Sequence, residues 1–304
     1  MAVSSPMSSP VSNDLRPSAE PEVVLPRRHY GQWVSSAALI LLTVLLVKIV
    51  ATNENFKWDV VGEYLTAQSV LEGLGRTLQL TVIAMIIGLA LGVPLAVMRQ
   101  SQNRLLSGAA FLFVWFFRGT PLLVQIVFWF NAAALFPEVK IEIPFGPTLF
   151  TADTNTLITP FLAAILALGL NQGAYTAEII RSGLLAVDHG QTEAAAALGM
   201  TKSQTLRKIV LPQAMRVIVP PMGSETISML KVTSLVSVIS LSDLLYSVQA
   251  IYQANYQVIP LLLVASIWYL VIVSLLSIGQ YYLERHFGRG YGALRQPPTG
   301  REEG

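Results

Sequence analysis

The chain has 304 residues, 53% of them hydrophobic and only 12% charged, with a net charge of +2 and a mean hydropathy of +0.56. That composition leaves too little polar surface to cover a soluble globule of this size, so the chain belongs in a membrane. The small net charge, with basic residues scattered through loops rather than gathered into an aromatic-lined stripe, argues against a nucleic-acid partner.

Residues 1–30 form an N-terminal segment whose first 26 residues are rich in Ser, Pro and Glu without an apolar period, and they are expected to be disordered. An apolar run at about 33–50 comes next, within an extra helix placed at 31–51. It is too far from the N-terminus, and too poorly followed by Ala51-Thr52-Asn53, to be a cleaved signal peptide. Further runs of spanning length lie at about 78–98, 160–180, 217–241 and 260–282. Another, from about Leu105 to Phe136, is interrupted by Arg118-Gly119-Thr120-Pro121 and reads as one spanning region with a break. The tail at 291–304 is expected to be disordered. This is an all-α integral membrane pattern with six crossings. No cysteine is present, and His29, His189 and His286 are far apart, so no metal or redox cofactor is expected.

Between the runs at 160–180 and 217–241 lies a polar insertion at about 188–212. Asp188 caps a helix opening at about His189, with Gln191 placed as a capping-box partner, Gly190 in the first turn and Ala194 to Ala197 as strong helix formers without bulk. Gly199 stops that helix. Thr201 and Gln204 repeat the capping relation, and Pro212 is expected to end or kink the helix that they open. A short helix with a small-residue face lets another protein approach closely; the alternative is a solvated connector on the membrane surface.

The Lys and Arg of short loops set the orientation. Arg16, Arg27 and Arg28 precede the first span; Arg99 and Arg104 follow the second; Arg181, Lys202, Arg207, Lys208 and Arg216 surround the polar insertion; Arg285, Arg289, Arg295 and Arg301 follow the last. The opposite loops carry Lys57, Arg76 and Lys140 against eight acidic residues, Asp243 among them. Both termini and the insertion are therefore expected in the cytoplasm.

Glu193-Ala194-Ala195, then Gly199, then Ile209-Val210-Leu211-Pro212 resembles the EAA loop of the membrane subunits of bacterial ABC importers, matched at every position. Three further stretches, Arg118 to Gln125, Ala174 to Arg181 and Leu230 to Ile239, resemble the polar amino acid uptake branch. The resemblance covers 73–290 and implies a type I ABC importer transmembrane fold, a five-helix core here preceded by one extra helix, in the bacterial inner membrane. It also implies an ATP-binding subunit docked on Asp188, Gly190, Glu193, Ala194, Ala195 and Gly199, an extracytoplasmic solute-binding protein, a second permease subunit and an amino acid as substrate. Val232 departs from the pattern, standing after Lys231 where an Asp is usual.

The chain has no phosphate-binding G-x-x-x-x-G-K-[ST] loop: Gly199-Met200-Thr201-Lys202-Ser203 lacks the glycine before lysine, so ATP hydrolysis is expected on a separate subunit. Ionisable groups inside hydrocarbon cost about 2.5–3.5 kcal/mol each on insertion scales. Glu225 and Lys231 stand six positions apart, roughly 240° around a helix, and so cannot pair on it. With Thr233 and Ser234 they either border a translocation path, where an amino acid needs acceptors for its ammonium and donors for its carboxylate, or make structural ion pairs. Arg118 either lines a cavity at the helix break or reaches toward an interface. Glu178 and Arg181 are spaced to pair, and Gly88 and Gly92 form a small face for helix packing. A self-contained carrier or channel, and a receptor subunit, are the competing classes.

Overall fold

The computed structural model describes residues 30–142 and 148–287; the N-terminal residues 1–29 and the tail at 291–304, both expected to be disordered, lie outside the described residues. The chain divides into a unit ending at Asn53 and a unit beginning at Glu54. In the first, α1 (Tyr30–Thr52) is apolar on every side, so Trp33 is 78% and Ile40 64% exposed. Residues 33–52 average a hydropathy of 2.4 over a length that crosses a bilayer.

The second unit begins with a short helix α2 (Trp58–Leu65), followed by α3 (Gln68–Arg99), α4 (Arg104–Gly119) and α5 (Leu122–Phe130). Strands β1 (Glu138–Glu142) and β2 (Thr148–Asp153) pair antiparallel, Glu138 opposite Asp153. This short hairpin is a local addition to a fold that is otherwise helical, as expected; the alternation of Val139 and Ile141 with charged neighbours is its signal. A single turn, α6 (Thr154–Leu157), leads to α7 (Pro160–Leu185). Then come α8 (His189–Ala197), α9 (Lys202–Thr205), a π-helical turn at Leu206–Val210, and α10 (Leu211–Val232). A 3-10 segment, Thr233–Ile239, separates α10 from α11 (Leu244–Asn255), and α12 (Val258–Phe287) closes the described chain.

α7 is the axis of the unit. At 26 residues it has the length of a span, about 39 Å at 1.5 Å per residue. Its apolar run is diluted by Asn171, Gln172, Tyr175 and Thr176, because protein rather than lipid surrounds it: Ala163, Ala164, Ala167, Leu168 and Ala174 are fully buried. α3 lies along it closely. A Cβ on Gly88 would run into the side chain of Gln172 and one on Gly92 into Thr176, while Gly169 of α7 leaves room for Ile87. The small face expected at Gly88 and Gly92 is therefore the α3–α7 contact. A core of Leu80, Ile126, Leu168, Met229 and Val236 joins α3, α5, α7, α10 and the 3-10 segment. A second core, with Val70, Leu244, Val248 and Leu261, joins α3, α11 and α12.

Two expected spans are reshaped. The region from Leu105 to Phe136 is not a straight crossing: α4 and α5 meet at 100° across Thr120 and Pro121. The segment at 217–241 starts earlier, at Leu211, and its α-helical part stops at Val232, with α11 turned by 45° beyond the 3-10 segment. Asp243, expected among the loop charges, is instead wholly buried in that break and caps α11, accepting from the Tyr246 amide at 2.9 Å. Thr77 of α3 accepts from the Leu244 amide beside it at 3.1 Å. With α1, α3 and α12 long and apolar enough alone, and two bent pairs, the described residues hold up to five spans by length and hydropathy. α7 is the sixth by length.

Candidate functional site

Two places in the second unit gather the predicted residues. At the first, the end of α7 passes into α8, whose N-cap is Asp188, its Oδ1 accepting from the Gly190 amide at 2.7 Å. The capping-box role expected of Gln191 is not formed; its amide instead bonds the Asp188 carbonyl at 3.1 Å. Gly199 ends the helix at φ +74°. From there the Gly199 amide reaches the Ala196 carbonyl at 2.9 Å and the Met200 amide reaches Ala195 at 3.0 Å, the paired closure of a Schellman motif. Thr201 and Gln204 then form the complete reciprocal box, the Thr201 amide bonding Gln204 Oε1 at 2.9 Å.

Only Ala195 of α8 is buried, against α9 and the π-helical turn. Glu193 and Ala194 are exposed, and Leu198 stands 81% exposed at the helix end. Pro212, expected to end or kink the helix opened at Thr201, sits in the first turn of α10. Its missing N–H and bulky ring are absorbed by the π-helical turn just before it, so the helical path continues from Lys202 to Val232.

The second place is a cavity of about 480 Å³ between the α4–α5 break, α7 and α10. Arg118 and Glu225 both line it, with Asn171, Gln172, Tyr175 and Ser228. The Arg118 guanidinium lies 5.1 Å from the Tyr175 ring centroid. Arg118 and Glu225 form no ion pair; those among the described residues are Lys140–Glu138 and Arg181–Glu178, the second as expected.

Proline chemistry shapes the cavity mouth. Pro121 has no N–H to offer the Phe117 carbonyl, one turn earlier. Asn171 Nδ2 donates to that carbonyl at 2.8 Å and Gln125 Nε2 at 3.0 Å; Gln125 also reaches the Thr120 carbonyl at 3.1 Å. The two buried amides therefore hold the break open where a straight helix would have closed it.

Lys231, Thr233 and Ser234 are not brought to this cavity. Lys231 is exposed at the end of α10. Thr233 is fully buried with its hydroxyl bonded to the Leu230 carbonyl at 2.7 Å, and the Ser234 hydroxyl bonds the Lys231 carbonyl at 2.7 Å. These hydroxyls secure the transition from α-helix to 3-10 turn. Asn171, Gln172, Tyr175 and Ser228 were missed, although the polar pair at 171–172 within an apolar run was a readable signal.

The profile of the "binding-protein-dependent transport system inner membrane component" family matches residues 84–289. The chain belongs to this family. The permease is 45% identical over 268 residues to the arginine transport system permease protein ArgU of Corynebacterium glutamicum, covering 87% of this chain and 83% of that protein. It is 36% identical over 221 residues to the nopaline transport system permease protein NocM of Agrobacterium fabrum, covering 71% and 88%. A solved amino acid ABC transporter with histidines superposes with a TM-score of 0.61 at 36% identity, covering 72% of the permease and 94% of that chain. The fold is thus that of a type I ABC importer permease, and the permease is a multi-pass inner-membrane subunit forming the translocation pathway of an importer. Membership in this family sets aside the self-contained carrier.

Proposed function

We propose that the permease conducts an amino acid through the cavity at Arg118 and Glu225 and takes its driving force from an ATP-binding subunit docked on α8. A cavity of about 480 Å³ has the size of a small-molecule site. Its two opposite charges, held apart, match the carboxylate and ammonium of an amino acid, Arg118 donating to the first and Glu225 accepting from the second. Arginine is the first substrate to test, given the relative named for its transport.

The observation that carries the coupling is continuity. α8 hands over through a tight turn to a helical run from Lys202 to Val232, and Glu225 lies on that run. A push on α8 therefore displaces a wall of the cavity without passing through a flexible loop. Asp188, Gly190, Glu193, Ala194, Ala195 and Gly199 form the docked surface. A solute-binding protein delivers the amino acid on the other side, a second permease subunit completes the pathway, and both termini lie in the cytoplasm with α8.

Reconstitution into liposomes with the ATP-binding subunit and the solute-binding protein tests this. Uptake of labelled arginine should require internal ATP and should fall in Glu193→Ala while substrate-independent ATP hydrolysis persists. Uptake unchanged on omitting the ATP-binding subunit would overturn the coupling. A reporter fused after Arg295 should be found inside the cell.

A further inference from the structure

Where α3 turns into α4, three guanidinium side chains converge on an open cleft of about 590 Å³: Arg99, Arg104 and Arg181. Ser107 and Phe111 are among the other residues of its wall, and no carboxylate lines it. Glu178 pairs directly with Arg181 and its charge also acts on Arg99 at longer range, which leaves Arg104 the least compensated of the three. The Arg99 guanidinium rests 5.0 Å from the centroid of the Phe111 ring, and neither Arg99 nor Arg104 has an ion-pair partner among the described residues. Arg104 is also badly placed for its own helix. It opens the 16-residue α4, whose first turn has no acidic residue, so a cation sits at the positive end of the helix dipole.

Both features are relieved by an anion. From the cleft, α4 presents Phe111, Leu112 and Trp115 outward, exposed by 51%, 60% and 63%, with Phe111 and Trp115 also bordering a second cleft that holds Arg118 and Glu178. A charged pocket at one end of a spanning helix, continued by an apolar face along it, has the two-part form of a phospholipid. We propose that this cleft binds the phosphodiester headgroup of an anionic membrane lipid, whose acyl chains lie along α4. The cleft is at the end of α7 that leads into α8, so the lipid anchors the base of the helices that frame the coupling helix.

The full-length permease in detergent, titrated with dioleoyl phosphatidylglycerol or dioleoyl phosphatidylcholine and read by native mass spectrometry, tests the site. Phosphatidylglycerol adducts should exceed phosphatidylcholine adducts, and the preference should drop by about five- to tenfold in Arg104→Gln and be lost in Arg99→Gln/Arg104→Gln. Arg104→Lys, which keeps the charge, should retain most of it, with thermal unfolding confirming that each variant is folded. Arg207→Gln/Lys208→Gln, exposed basic residues outside the cleft, should bind as the unaltered chain does. Equal binding of the two lipids, or an equal loss in the Arg207 and Lys208 variant, overturns the proposal. So does displacement of the lipid by millimolar inorganic phosphate, which would make the cleft a free-anion site.

Discussion

The α8 turn and the charged cavity are built in opposite ways. α8 is written by its own neighbours in sequence: Asp188 caps it, Gly199 closes it at φ +74°, and Thr201 with Gln204 opens the next helix, all within 17 residues. The cavity collects Arg118, Asn171, Tyr175 and Glu225 from three helices, and its mouth depends on two buried amides answering one proline. The two should therefore fail differently. A locally specified element degrades by increments as each cap is removed, whereas a site assembled by helix packing is lost when the packing is disturbed anywhere.

The largest loss is expected from a change remote from both places. Gly88→Leu puts a branched side chain into Gln172 at the α3–α7 contact, where even a lone Cβ would meet Gln172 side-chain atoms within 3 Å. Overpacking of this kind costs about 1–3 kcal/mol or more, and the yield of folded permease in detergent should drop severely, while Ala at a solvent-exposed α8 position should not change it. Next comes Glu225→Gln, which keeps shape and removes charge. Loss of a charge-assisted bond of about 1.5–3 kcal/mol predicts a 10- to 100-fold rise in the substrate concentration for half-maximal uptake. Lys231→Met, outside the cavity, should leave that concentration within about twofold, and a large effect would return Lys231 to the path.

Gly199→Val forces a β-branched residue into a left-handed backbone, a penalty of at least about 1–2 kcal/mol, although a Cβ there meets nothing within 4 Å. ATP-binding subunit association should weaken about 5- to 30-fold by pull-down titration, whereas Gly199→Asn, tolerated in that conformation, should associate nearly normally. If both variants associated alike, the helix stop would not matter for docking. Asp188→Ala is the smallest: a lost N-cap of about 1 kcal/mol should lower coupled uptake roughly fivefold and leave substrate affinity unchanged.

Much of the α8 turn was legible because capping chemistry is local. Asp188, Gly199, Thr201 and Gln204 act as their positions predict, and the one miss, Gln191, is a choice between the Asp188 side chain and its carbonyl that sequence spacing leaves open. The cavity was legible only in part. Charge inside an apolar run marked Arg118 and Glu225 as costly, and both line one cavity without pairing; the same rule marked Lys231, which lies outside it. Thr233 and Ser234 look like path residues in sequence, yet their hydroxyls are used to end a helix. Asp243 reads as a loop charge and is buried, because the break between α10 and α11 brings its carboxylate onto the amides of a new helix.

By itself, the sequence determined the membrane setting, the near extent of the long helices and the closed form of α8, since hydropathy and caps act over one or two helical turns. Tertiary structure alone decided the 100° turn at Pro121, the place of Asn171 and Gln125 beneath it, and which intramembrane charges share a cavity. The reason is that an unpaired carbonyl at a proline can be answered by any donor that packing brings near, and in this chain the Asn171 donor comes from a separate helix, 54 residues along the chain from the Phe117 carbonyl.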